Sequence, residues 1–328
     1  MKENDIRPEE LLNVALDLHK QDIEDIMKKK HEFIEFCCPS CGKNKNNLVY
    51  KKEGFLFNKC TKCNTVYISP RPTAKLLEEF YDNSKSMVYW NQVLFPSSEV
   101  YRKENIFKNR ALKVIEICQK YGNDFGTIVD VGAGYGTFCE VLKELNGFER
   151  VVAVESSIGL AETCKHKGIE TINKQIEEVV LKDVSVVTNF EVLEHLFNPE
   201  EFVKACYRVL PKDGMFVLTT PNIDGFELSM LETFSPNIGG PEHLNYFNPS
   251  SITYLLEKSG FEVLEISTPG KLDAELVRKE IINGNIDVSE DRFLQMVLVD
   301  QWEKVGESFQ NFLEINKLSS HMWVVAKK

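Results

Sequence analysis

Apolar side chains recur at helical spacing from Pro8 to about Lys30, at Leu11, Leu12, Ala15, Leu16, Leu18, Ile23, Ile26 and Met27, with charged residues between them. This spacing predicts a helix that docks on the rest of the protein. Its polar face mixes Asp, Glu and Lys instead of being cationic, which argues against a helix lying on a membrane. After Pro70-Arg-Pro72 the pattern is helical again, through Ala74 to Tyr81 and around Glu99 to Tyr121. Beyond that the period changes. Short apolar runs near 127 to 131, 151 to 155, 169 to 173, 184 to 189 and 215 to 220 alternate with helical stretches, as in a mostly parallel sheet covered on both faces. Phe261 to Ser267 predicts a sixth strand and His321 to Ala326 a seventh. Between these two, Gly270 to about Leu318 shows helical recurrence around Asp273 to Ile282 and Arg292 to Leu313, an insertion suited to a substrate wall or a dimer contact. The expected organisation is an N-terminal helix over 1–32, a cysteine-bearing segment over 33–72, a helical connector over 73–122, and an α/β domain over 123–328 with a helical insertion at about 270–318.

The first strand of the α/β part runs into Gly132, Gly134 and Gly136, within Thr127-Ile-Val-Asp-Val-Gly-Ala-Gly-Tyr-Gly-Thr-Phe138. Strand, glycine turn and helix in this order place a ligand at the carboxyl ends of parallel strands. A dinucleotide site needs a third glycine where Thr137 stands, and Asp130 adds a carboxylate that repels a pyrophosphate but pairs with an amino group or hydroxyls. Glu155 ends the next apolar run, 19 residues after Gly136, where its two oxygens can accept from both hydroxyls of an unphosphorylated ribose. The cofactor expected is therefore S-adenosylmethionine.

These segments resemble motifs I and II of the class I methyltransferases. The resemblance continues through Val184-Ser-Val-Val-Thr-Asn-Phe-Glu-Val-Leu-Glu-His195 and Leu210-Pro-Lys-Asp-Gly-Met-Phe-Val-Leu-Thr-Thr-Pro-Asn222, and covers roughly Gly126 to Pro269. It implies a Rossmann-like, seven-stranded, mostly parallel sheet. It also implies a cofactor site built from Asp130, Gly132, Ala133, Gly134, Gly136, Glu155, Ser156, Gln175, Asn189, Phe190 and Glu191.

Cys38-Pro-Ser-Cys41 and Cys60-Thr-Lys-Cys63 form two C-x2-C pairs separated by eighteen residues. Each pair makes a tight knuckle that turns both thiolates toward one ion, so the four together predict a closed, structural zinc ribbon. Cys37 is passed over because only Cys38 keeps the two-residue spacing to Cys41. A redox role for either pair, or a metal-free ribbon, are the competing readings. With a short apolar lining at Phe55, Leu56, Phe57, Val66, Tyr67 and Ile68, such a ribbon depends on metal to fold.

Two Glu-His pairs offer proton-transfer chemistry: Glu194-His195 after the fourth strand, and Glu242-His243 within Gly239-Gly-Pro-Glu-His-Leu-Asn-Tyr-Phe247. The second pair, with Tyr246, resembles the His/Glu/Tyr loop of sugar C-methyltransferases, which also carry an N-terminal four-cysteine zinc domain. That resemblance implies proton abstraction by His243 and Glu242 with support from Tyr246, and His195 is kept as a second candidate. Those enzymes usually have a further His before the loop's Glu, where this chain has Pro241. Carbon, oxygen and nitrogen acceptors of a sugar-containing or nucleotide-linked substrate all stay open.

The 328 residues include 39 Lys and Arg against 50 Asp and Glu, a net charge of −11 that opposes gripping a nucleic-acid backbone. An RNA methyltransferase that uses the ribbon for nucleic acid is thus the weaker enzyme reading, and a non-catalytic scaffold with a vestigial pocket is the non-enzymatic one. Arg71, Arg102, Lys103, Lys108, Arg110 and Lys113 make the most basic stretch, either a phosphate-holding surface or a solvated helix face. Nine cysteines, four of them in matched pairs, suit metal ligation in a reducing compartment. No apolar run approaches the ~18 residues that span a bilayer, and the polar start lacks a secretion-signal core. A cytoplasmic enzyme with a small carbohydrate-type substrate, no membrane or nucleic-acid partner, and scope for a homodimer is the expectation.

Overall fold

The computed structural model describes residues 3–328. The chain forms two compact units: Met1–Ser98, Pro221–Ser251 and Ser267–Met322 make the first, and Glu99–Thr220, Ile252–Ile266 and Trp323–Lys328 the second. The described residues form eleven strands, numbered in chain order: β1 (Asn46–Lys52), β2 (Phe55–Cys60), β3 (Val66–Ile68), β4 (Thr127–Val131), β5 (Arg150–Val154), β6 (Glu170–Ile172), β7 (Val184–Phe190), β8 (Met215–Pro221), β9 (Asn245–Tyr246), β10 (Glu262–Ser267) and β11 (His321–Lys327).

The second unit is organised by a seven-stranded sheet in the order β10-β11-β8-β7-β4-β5-β6, with β4 parallel to both β5 and β7. Every residue of β4 is buried, which is why its sequence is apolar apart from Thr127 and Asp130. The helix Thr137–Glu144 packs Phe138, Cys139, Val141 and Leu142 onto one side, together with Ala111, Val114, Ile117 and Cys118 of the helix Lys108–Tyr121. Gly122, with φ +65°, ends that second helix in the left-handed conformation.

In the first unit, β1, β2, β3 and β9 form a separate four-stranded sheet. The N-terminal helix, Glu9–Met27, sets Leu12 and Ala15 against Tyr89, Trp90 and Leu94. Its Asp22 is buried and accepts from Ser84 Oγ (2.7 Å) and from the Lys85 and Ser86 amides (3.0 and 2.8 Å), so the polar side of this helix also makes a fixed joint. The insertion contributes the helix Asp273–Ile282, as its periodicity predicts. The helical recurrence around Arg292 to Leu313 is realised as two segments divided at Gln301, which has φ −122° and whose amide donates five residues back, to Met296 O (2.9 Å). The division lets Val297 and Leu298 share one apolar cluster with Leu313, Ala274 and Val277.

One constraint ties the glycine turn to this packing. A Cβ on Gly136, where φ is +69°, would lie 2.6 Å from Ile169 Cδ1 and 2.9 Å from Cys164 Sγ. Gly136→Ala is expected to reduce stability by about 2 to 4 kcal/mol, combining left-handed strain with overpacking. Gly284→Ala, with φ +76° and no atom within 4 Å of its Cβ, should show the strain alone. Denaturant unfolding of the two variants checks this, and equal losses would remove packing as the constraint.

Candidate active site

The glycine turn leaves the end of β4 with φ values of +74°, +56° and +69° at Gly132, Gly134 and Gly136. Gly132 is pressed against Val192, whose Cγ2 would be 2.5 Å from an added Cβ, and its amide donates to Val154 O (2.8 Å). Gly134 has no neighbouring atom within 4 Å of its would-be Cβ, so here the main chain borders open space. The Glu155 carboxylate at the end of β5 fixes that backbone: Oε2 accepts from Gly134 N (2.8 Å) and Oε1 from Ser157 N (2.9 Å). Burial raises the pKa of this carboxyl, and the Ser157 and Gly134 amides oppose the shift by stabilising its charge. Asn173 Nδ2 donates to the carbonyls of Glu155 (2.8 Å) and Ser156 (2.9 Å) and so clamps the following loop. Ala133 is half-buried in the turn, while Ser156 and Gln175 are exposed.

The carboxyl ends of β7 and β8 supply a second group of side chains. Asn189 is buried; its Nδ2 donates to Val131 O (2.9 Å), whereas its Oδ1 is buried without a hydrogen-bond partner. Phe190 meets Phe138 edge-on at 4.8 Å and Trp323 at 5.6 Å, with the Arg110 guanidinium 5.0 Å from its ring centre. Glu191 adopts φ +56°, a backbone conformation uncommon for a side chain of this size, and accepts from Thr219 Oγ1 (2.5 Å). Glu194 is buried, accepts from Thr220 Oγ1 (3.0 Å) and lies 3.9 Å from His195 Nε2. Burial, followed by the charge of Glu191, drives the Glu194 pKa well above the usual carboxyl range.

Asp130 turns into the sheet, where Thr188 Oγ1 donates to it at 2.7 Å. Burial lifts its pKa to about 7 against the opposing effects of Thr188 and Arg110. Arg110 Nη2 is 3.9 Å from Glu191, and the charges of Glu191, Asp130 and Glu194 all favour its cationic form against burial. One guanidinium therefore faces three carboxyl groups, an excess of acid that suits a cationic ligand. The unpaired Asn189 Oδ1 adds a neutral acceptor for an N–H or O–H donor. These features fit S-adenosylmethionine, whose sulfonium and ammonium groups are positive and whose ribose presents two hydroxyls to a carboxylate.

The basic stretch resolves into two kinds of residue. Lys103, Lys108 and Lys113 make ion pairs with Glu140 and Glu144, Glu104, and Glu116. Arg110 is mostly buried, and Arg71 is completely so. Nothing in local sequence separates these arginines from the solvated lysines, because their burial is set by residues distant along the chain.

In the first unit, Cys38, Cys41, Cys60 and Cys63 are all buried, with their sulfurs within 4.8 Å of one another, while Cys37 is exposed. Cys38 and Cys63 approach to 3.4 Å and Cys41 and Cys60 to 3.5 Å. Hydrogen bonds from Cys38 and from Thr65 push the Cys63 thiol down against burial, and the Lys62 amide donates to Cys60 Sγ (3.4 Å). Convergent thiols, one already favouring thiolate, are a donor set for a soft, tetrahedral dication.

The Gly239–Phe247 loop lies in this same unit. His243 Nδ1 is 2.8 Å from Asn237 O, and an Nδ1–H donor to that carbonyl leaves Nε2 as the basic nitrogen. Glu242 turns to a different histidine: its Oε1 is 2.9 Å from Nδ1 of His19, on the N-terminal helix. Burial alone would lower the His19 pKa, yet the Glu242 hydrogen bond and the charges of Glu242, Glu53 and Asp22 raise it. Tyr246 is fully buried, and its hydroxyl accepts from Gly239 N (3.0 Å) and donates to Gly239 O (3.2 Å), closing the loop. Glu242 and His243 thus each meet a further partner in the fold, with a backbone carbonyl orienting His243. No sequence signal singles out His19, which meets Glu242 only in the folded chain.

The family model described as a methyltransferase domain matches residues 102–266. Over 139 residues the chain is 32% identical to a probable S-adenosylmethionine-dependent methyltransferase of Mycolicibacterium smegmatis, covering 40% of this chain and 49% of that protein. It is 29% identical over 154 residues to the mitochondrial ubiquinone biosynthesis O-methyltransferase of Bos taurus, covering 42% of this chain and 41% of the relative. It is 23% identical over 165 residues to the C-methyltransferase NovU of Streptomyces niveus, covering 48% of this chain and 38% of the relative. The chain spans less than half the length of each of these three relatives. With the glycine turn, Glu155 and the seven-stranded sheet in place, the chain belongs to the class I S-adenosylmethionine-dependent methyltransferase family.

Proposed function

We propose that this chain transfers the methyl group of S-adenosylmethionine to a small carbohydrate-type acceptor, and that the four cysteines hold one structural zinc ion. The observation that carries the reading is Glu155, buried at the end of β5 with each oxygen engaged by one backbone amide. A carboxylate oxygen has more than one acceptor direction, so both oxygens retain capacity for a ribose hydroxyl. When bound, the cofactor supplies an electrophilic methyl carbon. Glu155 orients its sugar, Asn189 Oδ1 and the acidic group around Arg110 favour its positive groups, and Gly134 keeps side chains out of the space it needs. Ala133, Ser156, Gln175, Phe190 and Glu191 belong to the same proposed set.

The acceptor reading rests on the loop's resemblance to sugar C-methyltransferases and on the tautomer of His243. With Nδ1–H donating to Asn237 O, Nε2 is the nitrogen able to take the acceptor's proton. Glu242, joined to His19, and Tyr246, joined to Gly239, hold the loop that presents it. His195, beside the buried Glu194, is the second candidate base. A C-methyltransferase and an O-methyltransferase both stand among the relatives, so the acceptor atom must be read from the product. Among the described residues no helix is long and apolar enough to cross a membrane.

Calorimetry with S-adenosylmethionine and S-adenosylhomocysteine tests the cofactor site. Both should bind, and Glu155→Gln should weaken binding by roughly ten- to a hundredfold, the value of a hydrogen bond or two to a charged group. Absence of heat with either ligand, or an unchanged affinity in the variant, would sink the assignment. Metal analysis of untagged protein should return about one zinc ion per chain, and Cys60→Ser should lose it; metal-free protein that folds fully would eliminate the zinc. For the reaction, a panel of nucleotide sugars with labelled cofactor should yield a methylated product, and His243→Gln should slow it by about 10² to 10⁴ with cofactor affinity unchanged. A full rate in His243→Gln combined with a collapse in His195→Gln would transfer the base role to His195.

A further inference from the structure

The loop that carries His243 is shaped by the cysteine ribbon. Its residues Asn245 and Tyr246 are the fourth strand of the ribbon sheet, pairing antiparallel with Tyr67 and Val66 of β3. Leu244 O, the carbonyl of the residue after His243, accepts from Ile68 N (3.0 Å). The two knuckles also reach the segment that follows: Ser40 Oγ, between Cys38 and Cys41, donates to Ser251 O (2.7 Å), and Asn248 Nδ2 donates to the carbonyl of Cys63 (3.5 Å). Gly240 lies flat on the same sheet, where a Cβ would come within 2.9 Å of both Ile68 and Phe55.

Arg71 joins these parts. Its side chain is 0% exposed, and its guanidinium lies 4.0 Å from the centre of the Phe36 ring. Nε donates to Ile68 O (3.0 Å), while Nη2 donates to Asn245 Oδ1 (3.2 Å) and to Leu244 O (3.4 Å). The planar fork thus bridges β3 and the residues just after His243. Burying a cation in this way is costly, and a lysine at the same place has no planar fork with which to span both strands. An apolar side chain of similar volume would satisfy the packing but not the bridge.

We infer that Arg71 is a positioning residue that holds His243 in place through Leu244 and Asn245, and that closing the four-cysteine site around its metal completes the sheet on which this loop is formed. The ribbon is then an internal mould for the loop, a role distinct from binding nucleic acid or substrate. This rests on the proposed function only for the catalytic meaning of His243; the coupling itself is a statement about the fold.

Hydrogen–deuterium exchange of the full chain, read by peptide, tests the coupling without any acceptor. In Arg71→Lys, exchange at residues 243–247 should accelerate about tenfold or more, as expected for loss of hydrogen bonds to a charged group. Zinc content, cofactor affinity and the protection of β1 and β2 should stay at their original values. Removing zinc with a chelator should release residues 243–251 together with the knuckles, while β4 and β7 remain protected. If Arg71→Lys fails to fold, Asn245→Ala removes one acceptor of the fork and should produce the same local pattern at smaller amplitude. Unchanged exchange at 243–247 in the variant that folds, or after zinc removal, would overturn the inference, as would a rise spread evenly over the whole ribbon. An inactive base assignment is a separate result: full activity in His243→Gln would end the catalytic role while leaving the exchange coupling intact.

Discussion

A buried carboxylate that accepts from main-chain amides on two different loops governs the arrangement of the second unit. Glu155 takes the Gly134 amide with one oxygen and the Ser157 amide with the other, so the turn after β4 and the loop after β5 are fixed by one side chain. The left-handed conformation at Gly134 aims its N–H at Glu155, and the lack of a side chain leaves the backbone open. Asn173 holds the same loop from β6, through the carbonyls of Glu155 and Ser156. Turns fixed in this way by their own hydrogen bonds have little ordering left to do, which reduces the cost of any binding they take part in.

The first unit solves a different problem. Its ribbon sheet is small, and three of its strands come from residues 46–68, too little chain to bury a substantial core without help. Four cysteines at one point and a fourth strand from residues 245–246 supply that help. Because this strand is also the tail of the His243 loop, the stability of the ribbon and the geometry of the loop are the same set of hydrogen bonds. Tyr246 makes the connection concrete, since it pairs with β3 through its backbone and closes on Gly239 through its hydroxyl.

What could be read from sequence was whatever depended on local period or fixed spacing. The seven strands of the large sheet, the glycine turn, the acid after β5 and the two cysteine pairs all announce themselves within a few residues. β9 gives no such signal: two residues following a proline-containing loop have no measurable alternation, and only the exposed edge of β3 makes them a strand. The same holds for the contacts of His19 with Glu242 and of Arg71 with Leu244 and Asn245, all more than 170 residues apart. The helical recurrence around Arg292 to Leu313 marks both helical segments but not the break between them, which lies in the backbone at Gln301. Sequence adjacency at Glu242 and His243 likewise gives no sign of His19 and Asn237, the partners they meet in the fold.

The acidic group around Arg110 is held by burial in a state that a nearby charge can change. Asp130, with a pKa lifted to about 7, and Glu194, lifted further, resist ionisation because burial withholds water from them. A positive ligand favours their charged forms, so any such ligand gains from ionisation that burial otherwise suppresses. A neutral ligand of the same shape gains nothing from that shift. Arg110 already supplies one such cation: Asp130 and Glu194 are buried, Glu191 is partly exposed, and the charges of all three favour the guanidinium's cationic form.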